Sequence, residues 1–165
     1  MSIRNAQIAV AIAAIVVIIA MLSMCARKPA ENKRAELGNT AYEVAVTFTP
    51  AATAAMKTLG QGATVEGFFY GAPVEAARDK VDDDGHIPAG MDQVDIAANT
   101  QTVKMPGSGI DPDVMAHIAG GKPSLMVRVY SSTTAGTPNQ LDCTTFNGTL
   151  AAAQTAPVAI ACDIR

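Results

Sequence analysis

The sequence predicts a mainly β protein: an antiparallel β-sandwich with one or two short helices, preceded by an N-terminal apolar targeting or anchor helix. Three observations predict it. Short runs of apolar/polar alternation recur along residues 41–165, as in Tyr42, Val44, Val46 and Phe48 against Glu43, Ala45, Thr47 and Thr49; a period of two places one face of a strand on a core. Turn residues punctuate the chain about every ten residues, the rhythm of packed short strands. Residues 6–24 form an apolar run whose polar members are Gln7 and Ser23 alone.

That apolar run opens the first segment, residues 1–25. It follows a single cation, Arg4, and as a helix rising ~1.5 Å per residue it just reaches across a bilayer core. Length therefore leaves a retained anchor and a long signal peptide both open. Leu22-Ser23-Met24-Cys25 resembles the lipobox of bacterial lipoproteins, in which a cysteine ends the apolar region and is diacylated before cleavage. Leu22 and Ser23 fit that pattern; Met24 departs from its usual Gly, Ala or Ser. The resemblance implies lipid attachment at Cys25, cleavage before it, and, with Ala26 following, an outer-membrane address. An uncleaved single-pass anchor is the competing expectation. Arg27, Lys28, Lys33 and Arg34 beyond the run outnumber Arg4 before it, and the positive-inside bias on its own would keep the following domain in the cytoplasm.

Residues 26–40 are polar, carry Pro29 and Gly38 and show no sustained period, which predicts a tether. The domain follows over residues 41–165, about 125 residues, enough for one core. After the first strand, Thr49-Pro50 predicts an N-cap with Pro at the first helical position, opening a short alanine-rich helix to about Leu59. Residues 63–71 are a second strand, with Phe68 and Tyr70 opposite Val65 and Phe69, and Gly67 marking a bulge or a close backbone contact. Residues 74–84 are a helical turn or a charged connection. Asp84-Gly85 signals a hairpin with weak strands around Val81 and His86-Ile87. Residues 94–103 hold one or two strands, and Asp111-Pro112 opens a second short helix that Gly120-Gly121 ends. Residues 125–132 are a strand with Leu125, Val127 and Val129 inward and Arg128 and Tyr130 outward. A small-residue loop, one helical turn within residues 149–154, and a last strand with Val158, Ile160, Cys162 and Ile164 on one face complete the domain. An α+β arrangement, with helices on one face of a single sheet, is the alternative fold.

Cysteine usage bears on the compartment. Three cysteines occur, Cys25, Cys143 and Cys162. Lipidation of Cys25 would leave Cys143 and Cys162 as a disulfide pair, closing a loop of about 20 residues and stabilising the fold by roughly 3 kcal/mol in the chain-entropy model. Two buried thiols in a reducing compartment are the alternative. An oxidising, periplasmic setting is the expectation, set against the basic flank of the leader.

Charge and motifs exclude more than they assign. A formal net charge of −3, with the acidic residues spread along the chain and not massed in a tail, argues against a nucleic-acid partner, which needs a dense basic surface. The acidic turn with Asp79, Asp82, Asp83, Asp84 and Gly85 invites a calcium reading, but an EF-hand register would put Lys80 at its first ligand position and Met91 at its last. His86 and His117, the two histidines, lack metal-ligand spacing. Ser108 in Gly-Ser-Gly lacks the first glycine of a nucleophile elbow, Pro106 standing there. Gly120-Gly121-Lys122-Pro123 lacks the serine or threonine of a phosphate loop. No catalytic residue, metal ligand or cofactor is therefore assigned. The expectation is a non-enzymatic, membrane-anchored envelope protein whose domain binds an envelope protein partner. The alternative is a small-ligand or cation-binding periplasmic module using Asp79, Asp82 and Asp84.

Overall fold

The computed structural model describes residues 39–132 and 138–165; the leader with Cys25, the tether up to residue 38 and part of the small-residue loop lie outside them. The described residues are mainly β, in two four-stranded sheets with few short helices. The first sheet has the order β4-β1-β8-β6, from β1 (Tyr42–Phe48), β4 (Gln101–Met105), β6 (Leu141–Cys143) and β8 (Val158–Ile164). The second has the order β3-β2-β5-β7, from β2 (Ala63–Gly71), β3 (Ile87–Ile96), β5 (Ser124–Ser131) and β7 (Phe146–Thr149). Helix α1 (Pro50–Leu59) joins β1 to β2, and the single turn α2 (Leu150–Ala153) joins β7 to β8.

The chain changes sheets at six of its seven strand connections, so the two sheets share one core. Tyr42, Val44, Val46 and Phe48 of β1 are buried, as are Val158, Ile160 and Cys162 of β8. The second sheet contributes Val65, Phe69, Leu125, Val127 and Val129. Rings of Tyr42 and Phe69 meet edge to face between the sheets, 6.2 Å apart at 88°, the geometry that suits the aromatic quadrupole. Gly67 permits this contact. A Cβ there would stand 1.8 Å from the Tyr42 hydroxyl oxygen, so of the two expectations for Gly67 the close contact holds. The register irregularity of β2 against β3 lies instead between Phe69 and Tyr70.

Local chemistry explains the helices. Thr49 accepts the Ala52 N–H at 3.1 Å, Pro50 occupies the first helical turn, and Ala52 and Met56 face the core. Thr149 caps α2 in the same way through Ala152. Three expectations are corrected. β1 and β8, the first and last strands, pair in parallel, because both lie in the middle of one sheet and the rest of the domain forms the crossover between them. No strand forms around Val81: Glu75–Lys80 is a 3-10 segment, and the turn after it is closed by Asp82, whose Oδ1 accepts the N–H groups of Asp84 and His86. The helix expected after Pro112 is two 3-10 turns, Met115–His117 and Ala119–Gly121; Gly120 inside the second has φ 69°, a left-handed value that ends any regular helix.

The last-but-two strand, β6, carries the expected cysteine pair. Cys143 and Cys162 sit directly opposite each other on β6 and β8, with sulfurs 2.11 Å apart, at disulfide distance. Hydrogen bonds from Arg165 N–H to the Gln140 carbonyl and from Thr144 N–H to the Ala161 carbonyl flank the pair. Those bonds make Cys143–Cys162 a non-hydrogen-bonded position, where opposed side chains come closest; the Cα atoms are 4.0 Å apart.

Candidate functional site

The two sheets show very different outer faces. That of the first sheet bears short or singly charged side chains: Ala45, Thr47, Thr102, Lys104, Ala159 and Ala161. That of the second carries three of the seven aromatic side chains, Phe68, Tyr70 and Tyr130, with Met91, Met126 and Arg128. Register arranges them in rows across β3, β2 and β5: Asp95–Thr64–Tyr130, then Gln93–Glu66–Arg128, then Met91–Phe68–Met126, then Pro88–Tyr70–Ser124. Met91 is 50% exposed, and Phe68, Tyr70, Met126 and Tyr130 are half-buried.

A polar cluster lies at the centre of this face. Glu66 is the single charged residue of β2 and Arg128 the single charged residue of β5, and the two stand opposite each other. Arg128 Nε donates to Glu66 Oε1 at 2.5 Å. Gln93 Nε2 donates to Glu66 Oε2 at 2.7 Å, and the Tyr130 hydroxyl donates to the same oxygen at 3.2 Å. These side chains roof the carboxylate, leaving the Glu66 side chain 6% exposed while Arg128 stays 54% exposed. Burial alone would push the Glu66 carboxyl up; hydrogen bonds from Gln93 and Arg128, the Arg128 charge and the Tyr130 hydroxyl outweigh it and hold the group below the ordinary carboxylate range. Burial and the adjacent Glu66 charge push the Tyr130 phenol up, so it stays a donor. No hydrogen bond joins the terminal guanidinium nitrogens of Arg128 to another described residue.

Aromatic contacts extend the face. Phe68 and Tyr70 stack at 5.9 Å and 16°, Tyr70 meets the His86 ring edge-on at 4.8 Å, and the Tyr70 hydroxyl donates to Asn147 Oδ1. Alternation along β5 places Arg128 and Tyr130 outward, and along β2 it sets Phe68 and Tyr70 apart from Val65 and Phe69 without fixing which face is outward. Glu66, Gln93, Met91 and Met126 were not singled out; the available signal was one acid and one base, each alone in an otherwise uncharged strand.

The other sequence candidates do not converge. Asp82 is engaged by its own turn, and among the described residues no group of three or more His, Cys, Asp or Glu is placed to hold a metal ion. His117 Nε2 lies 3.1 Å from Lys80 Nζ, while His86 contacts Tyr70, so each ring lies in its own setting. Among the described residues no helix is long and apolar enough to cross a membrane. Comparison of the chain with protein-family models, curated proteins and solved structures returns no match.

Proposed function

We propose that this chain is a non-enzymatic, membrane-anchored protein of the cell envelope whose β-sandwich presents an interaction surface in the periplasm. The outer face of the second sheet carries the reading. Aromatic, methionine and arginine side chains are the ones enriched at the cores of protein interfaces, and here they are gathered on a face that the domain's own core does not use. The apolar run at residues 6–24 supports an attachment at the N-terminus, either as a retained helix or through lipid on Cys25, which would point to the outer membrane. The Cys143–Cys162 pair fits an oxidising compartment.

The intact mass of protein extracted natively from membranes, with and without reductant, tests attachment and compartment together. Loss of residues 1–24, added acyl mass and a gain of two hydrogens on reduction are expected for a lipoprotein. A full-length mass with the same gain fits the retained anchor. A full-length mass with three free thiols would overturn the periplasmic placement.

A further inference from the structure

We infer that the outer face of the second sheet is a self-recognition surface, docking a second copy of this chain face to face about a two-fold axis parallel to β2 and passing over Phe68. Register carries the inference. Rotation about such an axis keeps each row level and exchanges the β3 side with the β5 side. Phe68 then lies on Phe68 of the second copy, and Met91 on Met126 of the second copy, twice over by symmetry. One isologous contact thus covers the whole apolar row.

Charge follows the same operation. Asp95 comes to face Tyr130 of the second copy, and Arg128 of the second copy stands one side-chain repeat away, about 6.6 Å along the strand. That is within reach of a guanidinium whose terminal nitrogens bond no described residue. Two Arg128–Asp95 pairs and two Tyr130–Asp95 contacts would lie on one side of the apolar row, one set over each outer strand. Glu66 faces Glu66, but each carboxylate is roofed by Gln93, Arg128 and Tyr130 and is 6% exposed, so bare carboxylates do not meet. Around the face centre the groups with charge are thus Glu66, Asp95 and Arg128: the rotation brings Asp95 toward Arg128 of the second copy, while the like-charged Glu66 pair on the axis stays screened by its own Arg128, Gln93 and Tyr130.

Between its outermost Cα positions the face spans roughly 10 Å by 20 Å, two strand spacings by three side-chain repeats, small beside the ~800 Å² per partner of a standard interface. The contact is accordingly weak in dilute solution and is strengthened when two anchors hold both copies at one membrane. For that strengthening alone the inference rests on the proposed membrane attachment.

Disulfide trapping on the full chain tests it. Phe68→Cys, on the axis, is expected to form a covalent homodimer in isolated membranes, above the level set by Cys25 in the unsubstituted chain. Met91→Cys and Met126→Cys are each expected to stay at that level, and the double variant to crosslink, with peptide mapping showing residue 91 joined to residue 126. Asp95→Ala in the Phe68→Cys chain removes both symmetry-related pairs and should lower the yield roughly fivefold, about 1 kcal/mol for two exposed ion pairs of about 0.5 kcal/mol each. Retention of the Cys143–Cys162 bond on mapping shows that each variant is folded. A folded Phe68→Cys chain without a homodimer, an adduct to a different protein at residue 68, or crosslinking by Met91→Cys alone would overturn the proposal. Sedimentation of the unsubstituted chain in mild detergent, expected to show a concentration-dependent monomer–dimer equilibrium, gives a reading independent of any substitution. Fractionation of the same cells reports attachment separately: a chain absent from membranes overturns the anchoring, while trapping in the soluble fraction still decides the dimer.

Discussion

The outer faces of the two sheets are both left uncovered by the domain's core, yet their chemistry is opposite. On the first sheet the outward residues of β1 and β8 are Glu43, Ala45 and Thr47, and Ala159, Ala161 and Asp163. Such side chains are short or solvated and present little for a partner to bind. On the second sheet Phe68, Tyr70, Met91 and Met126 lie in the rows beside a carboxylate that three donors hold in place. Nothing in the packing of the core requires this, since the inward residues of β2 and β5 are already buried. A sheet needs one apolar face to fold; the second face, with its apolar row and organised charge pair, is what the proposed interaction rests on.

The two sheets also differ in what stabilises them, and the largest expected effect breaks that difference. In the first sheet Cys143 and Cys162 stand at disulfide distance between the edge strand β6 and the central strand β8. Replacing both cysteines by alanine should lower unfolding free energy by roughly 3 kcal/mol in urea melts, the chain-entropy value for a loop of about 20 residues. A change below about 1 kcal/mol would mean that the link constrains little in the unfolded chain.

Next in size is Arg128→Ala, which strips the charged partner from a buried Glu66 but leaves it Gln93 and Tyr130. Because Arg128 is 54% exposed, the cost should lie between those of a surface and a buried pair, about 1–2 kcal/mol. Lys104→Ala on the other face should cost less than about 0.5 kcal/mol. Equal losses in the two variants, measured by the same urea melts, would erase the contrast between the faces.

Thr49→Ala sharpens the comparison on the first sheet's side. Thr49 caps α1 and also donates to Asp163 Oδ1 at 2.7 Å, so its loss should cost about 1 kcal/mol, the usual value of an N-cap. The Thr49 hydrogen bond and the Ile164 N–H hold the exposed Asp163 carboxyl below its ordinary value.

The smallest expected effect is one of pH. Glu66 titrates below the ordinary glutamate value of 4.5 when folded, so the unfolded chain binds the proton first. Its contribution to stability is complete above that ordinary value and is lost as pH falls through the lower folded one. Thermal melts from roughly pH 5 to pH 3 should therefore decline less steeply for Glu66→Gln than for the natural chain. Parallel declines would show that the cluster does not hold the carboxylate in its charged form.

Much of the frame was legible because strand alternation and helix caps are local signals. The faces of β1, β2, β5 and β8 and the start of α1 followed from residues a few positions apart. β6 and β7 did not, for Leu141-Asp142-Cys143 and Phe146-Asn147-Gly148-Thr149 are too short to show a period and become strands only through their pairing with β8 and β5. The candidate face was half legible: alternation pointed Arg128 and Tyr130 outward and put Phe68 and Tyr70 on one side of β2, but could not say that the four share one surface.

By itself, then, the sequence determined which side chains share a face along β1, β2, β5 and β8, where α1 begins, and that Cys143 and Cys162 are available to pair. Those are consequences of neighbouring residues and backbone geometry. Tertiary structure decided the parallel pairing of β1 with β8, the contact of Tyr42 over Gly67, and the meeting of Glu66 with Arg128, Gln93 and Tyr130. Each joins segments from 25 to more than 100 positions apart in the chain, and only the register of distant strands, set by burying their inner faces together, brings such residues within bonding distance.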